Sequence, residues 1–298
     1  MKYLYNIIAF LAIIIFSVTL SSCSQKVNKS NAKIRVVATT NTYGQVAKKV
    51  LGNKGQVISI INKSNIDPHD YQPTTITAEQ VTNANVLISN GLGYDSWMNS
   101  ISVNAKKATK VSVGENLLNL KSGDNPHVWY KVTTMIKLAN HLADVFSKKD
   151  TSNRHCYHNN AAKYISSLLV LQKQIKTIKS LNHHNKVDVS EPVFNYALDE
   201  MGYKINNPSY ALSVEKGTDP TPQQIRSVEN DIKHKKIKFF VNNIQDSNDI
   251  VDNFVDLAKQ NHVPVINVTE TMPQNNDYKQ WMFKQNEQVL KIERSNKY

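Results

Sequence analysis

The chain reads as an α/β protein of two lobes, each with a mostly parallel sheet flanked by helices, the lobes joined by one long helix. Three observations predict this. Short β-branched runs alternate with helix-patterned segments in the first half. The same alternation resumes in the second half, after a helical pattern that runs over 159–181 without a break. Strands that alternate with helices are joined by crossovers, and crossover connections make neighbouring strands parallel.

The elements follow in order. Strands are predicted at 33–38 (KIRVVA), 56–61 (QVISII), 85–89 (NVLIS) and 110–113, where branched side chains fit a pleated, half-buried surface. Helices at 45–51, 77–84 and 96–103 lie between them, with Thr77 and Gln80 three residues apart as a capping box. Over 132–149 the apolar residues Val132, Met135, Ile136, Ala139, Leu142, Ala143 and Phe146 recur at helical spacing. Ala161, Tyr164, Ile165, Leu168, Leu171, Ile175 and Ile178 repeat that stripe over 159–181, the helix that leaves the first lobe. Beyond the polar turn 182–185, strands are predicted at 186–190, 203–206, 237–242 and 263–268. A helix at 222–233 has Thr221 as cap, Pro222 in its first turn and Gln224 completing the box. Another at 247–260 gathers Ile250, Val251, Phe254 and Ala258 on one face.

The N-terminus indicates a compartment. Met1-Lys2-Tyr3 is a short basic start and 7–20 is almost wholly apolar, the layout of a secretory signal. Leu20-Ser21-Ser22-Cys23 then resembles a bacterial lipobox, which implies a lipid on Cys23 and an extracytoplasmic protein held at the cell membrane. An uncleaved membrane span is the other reading of the apolar run, which approaches the ~20 residues a bilayer requires. Residues 24–32 are too polar to offset the entropy of ordering and read as a tether. The expected organisation is therefore a signal peptide at 1–22, a lipid-anchored tether at 23–32, a first lobe at 33–152, a linking helix at 153–182 and a second lobe at 183–298.

Composition narrows the chemistry. With Cys23 given to lipid, the second of the two cysteines, Cys156, has no partner, so there is no disulfide framework and no thiolate metal cluster. Lys and Arg number 36 against 24 acidic residues, a formal charge of +12. The lysines are scattered and no aromatic-interleaved basic stretch occurs, so nucleic acid is not the expected partner. An anionic membrane surface and cell wall suit that charge better.

Two histidines stand out by context. His69 lies in Asp67-Pro68-His69-Asp70-Tyr71 and His127 in Asn125-Pro126-His127-Val128-Trp129, each after a proline that restricts the local backbone. Both follow the C-terminal end of a predicted parallel strand, where open α/β sheets place their ligands. Glu191 follows strand 186–190 and Glu270 follows strand 263–268 in the same way. Four such side chains facing one cleft would form an N and O donor set suited to zinc, or to manganese with a larger shell. The plainer alternatives are surface or capping histidines, and carboxylates that merely cap helices. His183-His184 in the polar turn reads as solvated, and His155, Cys156 and His158 as structural.

Taken together, the lipobox, Asp67-Pro68-His69 with Tyr71 and Pro73-Thr74, Asn125-Pro126-His127 with Trp129, Ser190-Glu191 before Phe194, and Thr269-Glu270 resemble the metal-binding lipoproteins of bacterial ABC importers. The resemblance runs from the signal to near the C-terminus in motif order. It implies two α/β lobes bridged by a helix, metal ligands at His69, His127, Glu191 and Glu270, and no catalysis. It also implies a monomer that delivers Zn2+ or Mn2+ to a membrane permease. Glu270 stands where Asp is commoner, and the long His-rich loop of many zinc-specific members is missing. The rival readings are a secreted zinc hydrolase, which lacks a His-Glu-x-x-His motif here, and a surface adhesin with a structural metal.

Overall fold

In the first half, four parallel strands are ordered β2-β1-β3-β4: β1 (Ile34–Thr40), β2 (Gly55–Ile61), β3 (Val86–Ser89) and β4 (Thr109–Ser112). This computed structural model describes residues 33–246 and 248–295. The expected signal peptide, Cys23 and tether lie outside the described residues. β1 and β3 run through the middle of the sheet, and Val36, Ala38, Val86 and Ile88 are buried almost completely. Helix α1 (Asn41–Leu51) covers one face with Tyr43, Val46, Ala47, Val50 and Leu51. It begins four residues before the predicted 45–51 because Asn41 and Thr42 continue directly from β1.

Helix α2 (Thr75–Thr82) is capped by Thr74, whose hydroxyl accepts the Thr77 amide at 3.2 Å, so the cap sits three residues before the predicted one. Thr77 instead lies inside the first turn, buried, with its hydroxyl 3.0 Å from those of Thr74 and Tyr71. Helix α3 (Trp97–Ile101) is short, and α4 (Val132–Lys149) has the predicted limits and buried stripe.

The bridging segment is helical from Arg154 to Leu181, as two helices, α5 (Arg154–Ser167) and α6 (Leu169–Leu181), that meet at Leu168. No Pro or Gly marks the joint. Ser167 donates its hydroxyl to the Tyr164 carbonyl at 2.6 Å, and the Leu168 amide bonds the Ile165 carbonyl three residues back. A back-bonding serine and a tightened turn bend a helix, and the apolar periodicity on either side does not register either feature. Leu168 itself is buried and pins the joint to the core.

The second half repeats the first topology with order β6-β5-β7-β8, again all parallel: β5 (Lys186–Val189), β6 (Lys204–Ile205), β7 (Phe240–Asn243) and β8 (Val265–Val268). The intervening helices are α7 (Asn195–Glu200), α8 (Pro208–Glu215), α9 (Pro222–Lys233) and α10 (Asp249–Gln260). The capping box of α9 is present with Thr221 and Gln224, and Asn248 caps α10. The last helix, α11 (Tyr278–Ser295), packs against α6 and fills the core with Trp281, Met282, Val289 and Leu290. The largest apolar cluster therefore runs through both halves, from Ile34 to Leu290, instead of stopping at each lobe. Among the described residues, no helix is long and apolar enough to cross a membrane.

Candidate metal centre

The strand ends place His69, Glu191 and Glu270 around a cleft of about 760 Å³, which Asp67 and Glu215 also line. His69 stands on the loop after β2. Its backbone amide bonds the Asp67 carboxylate at 2.8 Å, a local turn that places both side chains at the cleft. The Trp97 indole holds the Pro68 carbonyl at 3.1 Å, and the Tyr94 ring packs edge-on to the His69 ring at 4.7 Å. Asp67, His69 and Glu270 each offer one donor atom, all within 4.8 Å of one another.

His127 lies deeper and is completely buried. Asn125 fixes the chemistry of its ring. The Asn125 side-chain nitrogen donates to the Pro192 carbonyl at 2.8 Å, and its oxygen accepts the His127 backbone amide at 2.9 Å. With the amide so oriented, the same oxygen 2.8 Å from Nδ1 requires that Nδ1 carry the proton. Nε2 is then a bare lone pair. It has no hydrogen-bond partner, and Glu270 Oε1 lies 3.9 Å away. Burial, and then the neighbouring His69, push the His127 pKa down to about 3, so the ring is neutral across the physiological range.

The second half supplies the carboxylates. Glu191 follows β5, and the Asn243 side chain at the end of β7 donates to it at 2.6 Å. Glu270 follows β8. Its neighbour Thr269 is held on three sides: its amide by Gln285, its hydroxyl by the Trp281 indole and its carbonyl by the Tyr130 hydroxyl. Tyr94 from the first half donates to Glu270 at 2.7 Å, so one contact already crosses the cleft. Tyr94 is set by a turn after β3 in which the Asn90 and Gly91 amides both bond the Asp95 carboxylate. Gly91 has φ +78, and a side chain there would run into Glu115, so only glycine fits.

All four predicted residues reach this region, and three more join them. Asp67 stands two residues before His69, and Glu215 ends α8 with Oε2 3.9 Å from His127 Nδ1. Tyr94 completes the set. The sequence carried a signal for Asp67, as part of the Pro-His segment, whereas Glu215 and Tyr94 are brought in by tertiary packing alone. Burial raises Glu270 to about 8, with help from Glu191, and raises Glu215 to about 8 for the same two reasons. Glu191 rises to about 7 by burial, against the lowering effect of the Asn243 hydrogen bond. Buried carboxylates crowded without a cation hold protons near neutrality, and a divalent ion at their centre relieves both desolvation and mutual repulsion. His183 and His184 are exposed, away from the cleft lining.

Comparison with known proteins gives the family and the fold. The family described as zinc-uptake complex component A, periplasmic, matches residues 36–291. The manganese ABC transporter substrate-binding lipoprotein PsaA of Streptococcus mitis is 27% identical over 246 residues, covering 77% of this chain and 78% of that protein. The iron ABC transporter substrate-binding lipoprotein MtsA of Streptococcus pyogenes serotype M1 is 29% identical over 236 residues, 74% of each chain. The solved structure of the SBP FpvC of P. aeruginosa in complex with Ni2+ has the same fold. It superposes with a TM-score of 0.73 at 19% identity, covering 89% of this chain and 98% of that one.

Proposed function

The chain belongs to the family described as zinc-uptake complex component A, periplasmic, and we propose that it captures a divalent first-row metal ion outside the cytoplasm and hands it to a membrane permease. As a member of that family it is the solute-binding component of a metal ABC importer and not an enzyme. In our reading His69, His127, Glu191 and Glu270 are the ligands, and lipid on Cys23 holds the protein at the membrane.

One observation carries the ligand reading. A buried imidazole nitrogen is left without a hydrogen-bond partner, 3.9 Å from a buried carboxylate, with the rest of its ring fixed by Asn125. Buried polar atoms are almost always satisfied, and one that is not, aimed at anionic oxygen, suits a cation between them. Imidazole serves zinc, iron and nickel, whereas carboxylate suits manganese, so a set with two imidazoles and a surplus of carboxylates favours manganese or zinc. The test is elemental analysis of natively purified protein, followed by competition between zinc and manganese. Recovery of neither ion, together with no saturable binding of either, would overturn the reading.

A further inference from the structure

The loop 62–74 between β2 and α2 is long for a strand-to-helix connection, which typically takes about 2–6 residues. It borders the cleft at Ser64, Asn65, Asp67 and His69, and long loops beside a site commonly serve as lids. Two hydrogen bonds from the second half end on one atom of it, the Ser64 carbonyl oxygen. One donor is the Gln245 side-chain nitrogen, just after β7, and the other is the Thr271 hydroxyl at 3.1 Å, one residue beyond Glu270. Gln245 Nε2 also donates to the Thr271 hydroxyl at 2.7 Å, and Oε1 accepts the Thr271 amide at 2.8 Å. Both donor hydrogens and the acceptor of this carboxamide are engaged, which fixes how it points. Its backbone amide bonds Asn243 Oδ1 at 3.2 Å, and the same Asn243 side chain donates to Glu191. One exposed residue therefore ties the loop before His69 to the segments that carry Glu191 and Glu270. Further along, the loop is held to its own half, at the Pro68 carbonyl by Trp97 and at the Tyr71 hydroxyl by Thr77. The part free to lift is 62–67.

We propose that Gln245 is a positioning residue that straps 62–67 across the mouth of the cleft and sets how fast an ion enters and leaves. What passes the strap rests on the metal-capture reading above; the strap itself does not. It joins a backbone carbonyl, a carboxamide, a hydroxyl and a backbone amide, none of them in the proposed ligand set. Its strength is therefore the same whether or not an ion is held, and a contact that does not distinguish two states does not shift the balance between them. Releasing the strap speeds entry and release by one factor and leaves affinity alone. Losing a ligand is different, because it speeds release without speeding entry. Deeper in the cleft the Tyr94 bond to Glu270 and the Asn125 bond to Pro192 stay in place when 62–67 lifts, so the opening is local.

The experiment measures zinc and manganese entry and chelator-driven release by stopped flow on the full chain, with Kd determined separately. Gln245→Met keeps the bulk of the side chain and removes its bonds. Entry and release should both rise by roughly tenfold, the net worth of a hydrogen bond or two, with Kd within twofold of the parent. Thr271→Val removes the second donor to Ser64 and should act in the same direction, whereas Thr271→Ser keeps that donor and should behave as the parent does. Gln223→Met, at an exposed glutamine of α9, is the control and should change neither rate. A second readout needs no metal: Lys63 precedes Ser64, and trypsin cleavage after Lys63 requires the strapped segment to lift. Its initial rate should rise by roughly tenfold in Gln245→Met. If the parent binds neither ion, the capture reading fails and the cleavage rates alone decide the strap. Cleavage within twofold of the parent in both Gln245→Met and Thr271→Val overturns it. Faster release with unchanged entry also overturns it, since Gln245 would then support the ligands instead of the lid.

Discussion

Asn125→Ala tests how the site is armed. Asn125 accepts from both the backbone and the ring of His127, and those two bonds place the proton on Nδ1 and the lone pair on Nε2. Alanine removes the acceptor, so the neutral ring is free to take the other tautomer or rotate, and metal binding must first restore the productive form. Groups that orient a metal-binding imidazole in this way are typically worth 10–100-fold in affinity, about 1.4–2.7 kcal/mol. The same substitution removes the Asn125 bond to Pro192, which joins the two halves, at a cost of about 1 kcal/mol to the apo protein. The assay is competition against a chelator of known affinity for manganese and for zinc, with melting of the apo form measured in parallel. Asn125→Asp keeps an acceptor next to Nδ1 and should retain more affinity than Asn125→Ala. Affinity within twofold of the parent in Asn125→Ala would show that His127 is not oriented this way, and the tautomer argument would fail.

Three further outcomes are expected. Metal bound at a thousandfold excess over Kd should stabilise the fold by roughly 4 kcal/mol; His127→Ala and Glu270→Ala should each lose most of the resulting melting shift, while His183→Ala with His184→Ala keeps it. Metal affinity should fall as pH drops below about 8, because Glu270 and Glu215 near 8 and Glu191 near 7 must give up protons to a cation; calorimetry in buffers of different ionisation enthalpy should show proton release at neutral pH, and its absence would refute the carboxylate assignment. Asp188, buried in β5 with both oxygens unpartnered, is raised to about 8 by burial and then by Asp231. Its folded pKa lies above the unfolded value of ~3.9, so its stability contribution is complete below that value and is lost as pH rises through about 8. Asp188→Asn should therefore gain on the parent by up to roughly 1.4 kcal/mol per pH unit between those limits, and a melting difference that does not change with pH would count against it.

The sheets were legible because their signal is local. Branched runs such as 85–89 and 263–268 read as strands from their own residues, and α4 and α9 announced themselves by period and by the Thr221 box. Errors collected where a side chain overrides the local pattern. Thr74 rather than Thr77 caps α2, and the bridge divides at Leu168, where Ser167 bonds back to Tyr164, although the apolar stripe continues through it. The helix Tyr278–Ser295 went unread, although Trp281, Met282, Gln285, Val289 and Leu290 carry a helical stripe, because its polar residues dilute that stripe. At the site, the Pro-His segments and the strand-end glutamates were visible in the sequence. Glu215 was not, since it ends a helix with nothing local to set it apart and meets His127 only across the fold. Burial keeps His127 neutral, so the proton load at the site falls on the carboxylates.

The two sheets share one order, and this explains which site residues face each other. Aligning β2-β1-β3-β4 with β6-β5-β7-β8 makes β4 the counterpart of β8 and β3 the counterpart of β7. His127 follows β4 and Glu270 follows β8, and these equivalents approach to 3.9 Å. Asn90 follows β3 and Asn243 ends β7, and each amide braces its own side: Asn90 bonds the carbonyl of Pro126 before His127, and Asn243 bonds Glu191. The frame is thus duplicated while the donors are not, for the first half presents both imidazoles with Asp67 and the second presents Glu191, Glu215 and Glu270. A cation held by both sets gains most of its charge neutralisation from the second half and its neutral nitrogen donors from the first. If those are the ligands, opening the cleft by a few ångströms removes half the coordination in one step, so a permease that parts the halves weakens the hold on the ion without competing for any single ligand.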